Sequence, residues 1–483
     1  MKRLLLQLTR FVKHGVQYNY RSYARSPVMK NILDWSVYKD AGIGDAYADT
    51  PKTGGNFAKA VAVCINSHQC ETDSKGVMCP SYRVSHLPGL STGGRVRLIK
   101  AALNGGLGDK PFFYKVLTET MELCLGCKGC KRECENEVDM AMIKVEYLAQ
   151  RFLEERVPFR TRILANLSKN LKHYTCFISL ISLRNRFFLL RKTTEKLLGI
   201  SAERSIPEPK KISFTKKFKK IKQFLPVTTS DSNPEVVLLI DTFTDNFSPT
   251  NAEDAITVLN TAGYKVFIAR PTTSTEEPLR PLCCGRTHIA NGLVEEAKIE
   301  ARRMLSALIP HVKKGRTIIG LEPACLLAIR DDYKFLGLGE DATEVASHAI
   351  LFEEFIAKEI TAKRFPLELK PVDTGNQPVL IHGHCHQKAV GAMKSMRKVL
   401  KLIPELDFKM IDSTCCGMAG SFGIEREHAE MGMQMAELSL LPSLREHDSA
   451  RVIANGFSCQ HQIKEGVNRS AIHIATLLRE ALA

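Results

Sequence analysis

The chain has 483 residues, 44% of them hydrophobic, with 15 cysteines, one tryptophan and a formal net charge of +16. That length and apolar content predict about three globular domains with real cores, and the lack of any run of about 20 apolar residues predicts no membrane-spanning helix. The charge is local: Arg156 to Lys222 carries 18 Lys/Arg against three Glu, Met1 to Asn31 carries seven Lys/Arg and no acid, and the cysteine-bearing remainder is mildly acidic, a distribution that excludes a general nucleic-acid surface.

Residues 1–57 read as a basic N-terminal segment. It is Arg-rich and free of acid until Asp34. A basic surface helix is the expected form, a mitochondrial presequence the alternative, and the apolar run is too short for a secretory signal. Residues 34–57, with scattered Gly, Pro and Asp, are expected to be irregular. Without a secretory signal, dense cysteine points to a reducing compartment, where thiols hold metal instead of pairing as disulfides.

Residues 58–155 hold two cysteine motifs. Cys124, Cys127, Cys130 and Cys134 have C-x2-C-x2-C-x3-C spacing. Three thiolates two residues apart wrap one [4Fe–4S] cluster, and the fourth reaches a second cluster. The crosswise partner is Cys64-x5-Cys70-x8-Cys79-Pro80, with proline positioned to start the next helix. The expected sets are therefore Cys79, Cys124, Cys127 and Cys130 for one cluster, and Cys64, Cys70 and Cys134 for the other. The second set is one ligand short, because Ser67 stands where a middle cysteine would be; a serine, a water, a three-iron form or no cluster all remain open. Zinc is the alternative for C-x2-C pairs, but seven cysteines in two cluster-type motifs favour iron. Helices are expected at 94–104 and 111–123, where Phe112, Val116, Leu117 and Met121 keep a 3.6-residue stripe, and again through Val138, Met142, Val145, Leu148 and Phe152.

Residues 156–230 interleave apolar clusters, Phe177–Leu183 and Phe187–Leu190, with Arg184, Arg186, Arg191 and Lys192. Such helices can lie in a membrane interface with cations on anionic headgroups; the plainer reading is a basic linker packed on its own protein. Cys176, alone in this stretch, reads as a small packed hydrophobe.

Residues 231–360 and 361–483 repeat one another. Strands at Val236–Ile240, Thr317–Gly320, Val379–His382 and Arg451–Ala454 alternate with helices near 293–308 and 426–441. Forty residues separate Cys284 from Cys325, and 42 separate Cys416 from Cys459. The agreement predicts an internal duplication of α/β units with parallel sheets, their cysteines at strand carboxyl ends.

Cys283-Cys284-Gly285 and Cys415-Cys416-Gly417 resemble the tandem cysteine-rich "CCG" domains of heterodisulfide reductase and of the iron–sulfur subunits of glycolate, lactate and anaerobic glycerol-3-phosphate dehydrogenases. Met78–Arg83, Arg280–Arg286, Gly320–Cys325, His382–Lys388 and Cys415–Gly423 resemble the iron–sulfur half of FAD-linked oxidases of D-2-hydroxy acids. The resemblance implies an α + α/β fold: a helical ferredoxin-type domain followed by two duplicated CCG domains. It implies a metal site on Cys385, Cys415, Cys416 and Cys459. In the first repeat only Cys283, Cys284 and Cys325 remain, because Asp241-Thr-Phe-Thr stands where Cys385 would be, so a full site there is in doubt. If the strand continued, His382, His384 and His386 would share one face and Cys385 the other; His384 and His386 are expected to hydrogen-bond thiolates. No catalytic residue is assigned. The implied cofactors are one or two [4Fe–4S] clusters in the ferredoxin-type domain and one in the second CCG domain. With 63 residues before Cys64, the flavin is expected on a separate FAD-containing subunit. The expected role is electron transfer from that flavoprotein to quinone, from a cytoplasmic position on the inner face of the cell membrane. The alternative is a thiol–disulfide reductase acting at the second CCG site.

Overall fold

From Gly55 to Arg151 the chain is helical, with the cysteines in the loops and short turns between helices. The computed structural model describes residues 29–43, 49–73, 76–220, 233–271 and 280–483, with the backbone alone at 172–177, 219 and 220. The N-terminal targeting reading and the Cys176 side chain lie outside the described residues. Helices Gly55–Ala62, Thr92–Leu103, Lys115–Glu122 and Met140–Arg151 bury Phe57, Val61, Ile99, Leu117, Met121 and Met142 completely. The helix expected over 111–123 is divided. Pro111–Phe113 is a 3-10 turn, and Tyr114, with ψ 123°, separates it from Lys115–Glu122. The start of the segment expected to be irregular is anchored: Trp35, 2% exposed, packs on Phe57 and Phe335. The backbone N–H groups of Ile32 and Leu33 and the Trp35 indole donate to buried Glu146 at 2.9, 2.8 and 3.1 Å, which satisfies a carboxylate that burial would otherwise penalise.

Beyond residue 233 two all-parallel sheets alternate with helices. The first, in order β2-β1-β3-β4, consists of β1 Glu235–Leu239, β2 Lys265–Ile268, β3 Thr317–Gly320 and β4 Ala349–Leu351. The second, in order β6-β5-β7, consists of β5 Val379–Ile381, β6 Phe408–Met410 and β7 Val452–Ile453, and Ile453 makes a further parallel bridge to Ile472 in the place of β4. Val237, Leu238, Ile318, Ile319, Val379 and Leu380 are fully buried, as strands covered on both faces require. In each sheet the chain passes from the first strand to a neighbour on one side and then crosses to a neighbour on the other, so loops from three neighbouring strands meet at one carboxyl edge, the crevice where α/β sites gather.

The basic segment forms helices Phe159–Ala165, Leu167–Arg186 and Phe188–Leu198. It is fastened to the second α/β half through Ser201 N–H to the Ile424 carbonyl at 2.8 Å and Ser205 N–H to Glu465 at 3.0 Å. Arg160 pairs with Glu425 and Glu427. Two of the interleaved cations face inward, against the sequence expectation. Arg184 is buried and donates to the Ser201 carbonyl at 2.7 Å, in the stretch that follows the helices, and Arg191 donates to the Asn185 carbonyl at 2.9 Å. Leu180, Phe187, Phe188, Leu189 and Leu197 stay exposed, Leu189 at 80%. Among the described residues no helix is long and apolar enough to cross a membrane.

Candidate metal centres

Cys79 precedes helix Pro80–Ser85, with proline at its first position. The start of helix Thr92–Leu103 aims donors at two sulfurs: Thr92 N–H reaches Cys79 Sγ at 3.1 Å and Gly93 N–H reaches Cys70 Sγ at 3.2 Å. Unpaired N–H groups at a helix N-terminus favour thiolate over thiol. Burial pushes the Cys79 thiol up to about 11, with Cys70 and Cys124 acting in the same direction and Arg95 against. Burial raises Cys130 well above the ordinary thiol range, helped by Cys79, Asp139 and Cys124. It also raises Cys64, with Cys70 and Cys134 adding to the effect. Cys79, Cys124, Cys127 and Cys130 thus neighbour one another, as do Cys64, Cys70 and Cys134. Buried thiols that repel each other's charge are a donor set suited to a cation, which takes the place of the protons. Ser67 lies in the exposed loop 65–68.

The Cys124–Cys130 loop is clamped from behind. Lys128, with φ 59°, is buried and pairs with Asp331 and Asp332 of the first α/β half. Burial alone would lower the Lys128 ammonium; Asp332, Asp139 and Asp331 outweigh it and raise it. Lys131 joins Asp331 at 2.7 Å and Asp139 at 3.0 Å, and Arg286, directly after Gly285, joins Asp332 at 2.7 Å. Sequence reasoning missed Lys128 and Arg286, although both adjoin cysteine motifs; their acidic partners lie far away in the chain.

Both Cys-Cys-Gly turns need their glycine. Gly417 has φ +82°, and a Cβ there would lie 1.9 Å from the Gly432 carbonyl oxygen; Gly285 has φ +74°. Only glycine closes a left-handed turn at such an approach, and the turn brings two adjacent thiols inward. In the second half Cys385, Cys415, Cys416 and Cys459 form a chain of adjacent buried thiols, each residue 2–7% exposed and each perturbing the ionisation of the next. In the first half the chain is Cys283, Cys284 and Cys325. There Asp241 caps the short helix Thr242–Asn246, and Thr242 Oγ1 is buried without a hydrogen-bond partner. Burial, and then Asp241, push the nearby Glu322 carboxyl up to about 8.

The three histidines do not share one face. β5 ends at Ile381 and a helix begins at Cys385, which ends the strand alternation. His384 Nδ1 accepts from the His386 N–H at 3.2 Å and so caps that helix, while the His386 Nε2–H donates to the Gly126 carbonyl at 3.1 Å. His382 Nδ1 lies 2.9 Å from Ser413 Oγ. Cys127 packs against the core that holds Val77, Cys385 and Cys415. Burial first, and then Cys385, raise the Cys127 thiol. The Cys124–Cys130 loop therefore abuts the second Cys-Cys-Gly site.

Residues 379–464 match the family described as "Cysteine-rich domain", CCG. This stretch is a CCG domain. Over 433 residues the chain is 25% identical to the probable glycolate oxidase iron–sulfur subunit of Bacillus subtilis, covering 83% of this chain and 91% of that one. It is 25% identical over 311 residues to one of the subunits of the anaerobic glycerol-3-phosphate dehydrogenase of Escherichia coli, covering 64% and 74% of the two chains. It is 23% identical over 391 residues to the Escherichia coli D-2-hydroxyglutarate dehydrogenase, 78% of this chain but only 35% of that one, so it spans about a third of that relative's length. No solved structure matches. The CCG match and these homologues agree with the resemblance carried by the cysteine motifs, and the helical part followed by parallel-sheet parts agrees with the expected α and α/β mixture.

Proposed function

We propose that the chain is an iron–sulfur electron-transfer subunit. It takes electrons from a separate FAD-containing dehydrogenase of a 2-hydroxy acid, of D-2-hydroxyglutarate, D-lactate or glycolate type, and passes them toward quinone at a membrane surface. The observation that carries this reading is the packing of Cys127 against the core of Cys385 and Cys415, which sets two thiol-rich sites side by side. Iron–sulfur clusters, when bound, supply the one-electron steps into which a two-electron flavin oxidation is divided.

The chain's residues fit that cofactor. Cys79, Cys124, Cys127 and Cys130 would hold one [4Fe–4S] cluster, and Cys64, Cys70 and Cys134 an incomplete one. Cys385, Cys415, Cys416 and Cys459 would hold the metal of the CCG domain, while Cys283, Cys284 and Cys325 form a poorer site. The Thr92 and Gly93 N–H groups withdraw charge from Cys79 and Cys70 and would favour the reduced state. Thiol–disulfide chemistry at the second site is disfavoured, because its four thiols are buried. The exposed Phe188, Leu189 and Leu197, beside Arg186, Lys192 and Lys196, suit an anionic lipid surface, which would place the chain on the inner face of the cell membrane.

The test uses the full chain, purified anaerobically, with the flavoprotein that co-purifies with it. D-lactate, glycolate or D-2-hydroxyglutarate should bleach the iron–sulfur absorbance only when that flavoprotein is present. Bleaching by the acid and this chain alone would overturn the assignment.

A further inference from the structure

The two α/β halves can be laid on one another through features that do not involve cysteine. Asp241 caps the helix after β1 and His384 caps the helix after β5, so Thr242 stands where Cys385 stands. Strand register gives the same alignment. Leu239 pairs with Gly320, two residues before the Glu322 cap. His382 follows the Ile381–Ile453 pair and donates its N–H to the Ile453 carbonyl at 2.9 Å, which sets it opposite Ala454, two residues before the Gly456 cap. His382 therefore occupies the position of Leu239.

Leu239 is an ordinary core residue, fully buried in the first sheet. An imidazole in the same place must find partners for both ring nitrogens or suffer the desolvation. His382 is 2% exposed and finds one. Its Nδ1 lies 2.9 Å from Ser413 Oγ, a hydroxyl that also accepts from Lys388 Nζ at 3.0 Å. Its Nε2 has no hydrogen-bond partner. A ring nitrogen of His382 and the sulfurs of Cys416 and Cys459 all lie within 4.8 Å of one another, and with Nδ1 engaged by Ser413 it is Nε2 that is left for them. Two thiolates on opposite sides of one ion stand about 4.6 Å apart at metal–sulfur lengths of about 2.3 Å, so one ion reaches all three donors with small side-chain adjustment.

We propose that His382 Nε2 is a direct ligand of the metal centre in the second CCG domain, together with its cysteine thiolates. This rests on reading that domain as a metal site. Ser413 then has the role of the outer partner that metal-bound histidines ordinarily have: it takes the Nδ1–H and so leaves the Nε2 lone pair for the metal. The first half lacks both special donors at once, with Leu239 for His382 and Thr242 for Cys385, so its three thiols cannot build the same centre.

The experiment is pulsed electron paramagnetic resonance on the full chain, reconstituted anaerobically with ferrous iron and sulfide and, separately, loaded with Co2+. The wild type should show the strong nitrogen hyperfine coupling of a bound imidazole. His382→Leu, which copies the residue the first half uses at this position and so should fold, should lose the coupling and the second-domain metal. His382→Cys should lose the coupling but regain the metal, and His384→Ala should keep both. A coupling that survives in His382→Leu, or a wild-type coupling as weak as that of a remote N–H donor, would overturn the proposal. Cys416→Ser separates the two layers of argument. If it releases metal while the wild type shows no bound nitrogen, only the histidine assignment fails; if it releases none, the metal-site reading fails with it.

Discussion

The His386 Nε2–H donates to the Gly126 carbonyl oxygen at 3.1 Å, across 260 residues of sequence. Gly126 lies between Cys124 and Cys127, and His386 follows Cys385, so one hydrogen bond ties a side chain next to one cysteine site to the backbone of the other. We predict that His386→Ala lowers unfolding stability by about 1 kcal/mol, the usual worth of one intramolecular hydrogen bond, and slows electron passage between the two sites at unchanged iron content. Freeze-quench spectroscopy after rapid reduction measures that passage. A rate equal to wild type would show that the contact is mere packing.

Iron content gives the second prediction. Cys127 belongs to the four neighbouring thiols Cys79, Cys124, Cys127 and Cys130, and Cys127→Ser should remove most of the signal of one [4Fe–4S] cluster. The other set lacks a fourth thiol, and Ser67, which holds the sequence position where one would stand, is exposed. Ser67→Cys should therefore raise iron per chain. A fall in iron, or no change, would count against an incomplete cluster on Cys64, Cys70 and Cys134.

What was legible in the sequence was local. Ligand spacing shows because a cluster is wrapped by a short loop, and the Cys-Cys-Gly turns show because only glycine tolerates φ +82° at Gly417. β3 at Thr317–Gly320 runs as expected because buried parallel strands are apolar on both faces. What was not legible was contact between distant segments. Nothing in Lys128 itself foretells Asp331, and the three histidines were misplaced because alternation was carried past Ile381, where Gly383 and the His384 cap turn the chain into a helix. Arg184 and Arg191 read as surface charges, but the carbonyls they serve, at Ser201 and Asn185, come within reach only through a chain path that no periodicity describes.

The Lys128 cluster makes the third prediction. Removing one partner of a buried ion network leaves carboxylates uncompensated, which ordinarily costs about 3–5 kcal/mol. Lys128→Met should destabilise by that order, and adding Asp332→Asn should recover part of it. Acid should act on the same network. Burial pushes the Asp331 carboxyl up, but Lys128 and Lys131 outweigh it and hold it well below the usual range. A carboxyl depressed in the folded state stabilises above its unfolded pKa of about 3.9, and that contribution is lost as pH falls further. Urea unfolding from pH 6 down to pH 3 should therefore be less steeply pH-dependent in Lys128→Met than in wild type; parallel curves would sink the idea.

The hairpin of Leu167–Arg186 and Phe188–Leu198 makes the fourth. Phe188, Leu189 and Leu197 are 61%, 80% and 74% exposed, so replacing all three by serine should leave the melting temperature within a degree or two. Burying such side chains in a bilayer is worth about 1.5–3 kcal/mol each, and each nearby cation about 1 kcal/mol on an anionic surface. The triple variant should lose co-sedimentation with phosphatidylserine vesicles, and wild-type binding should weaken at high salt. Equal wild-type binding to neutral and anionic vesicles at every salt concentration would defeat the membrane assignment.

The fifth concerns the direction of electron flow. Cys416 lies in the middle of the thiol chain, with Cys415 on one side and Cys459 on the other, and that chain adjoins Cys127 through Cys385 and Cys415. If electrons enter from a flavoprotein and leave toward quinone through this site, Cys416→Ser should interrupt the route after the flavin. Stopped-flow mixing of the assembled complex with substrate should then show flavin reduction at the wild-type rate, while reduction of a soluble quinone falls at least tenfold. If flavin reduction slowed to the same extent, Cys416 would act on substrate chemistry or on assembly; if quinone reduction were unchanged, the second CCG site would lie off the path of the electrons.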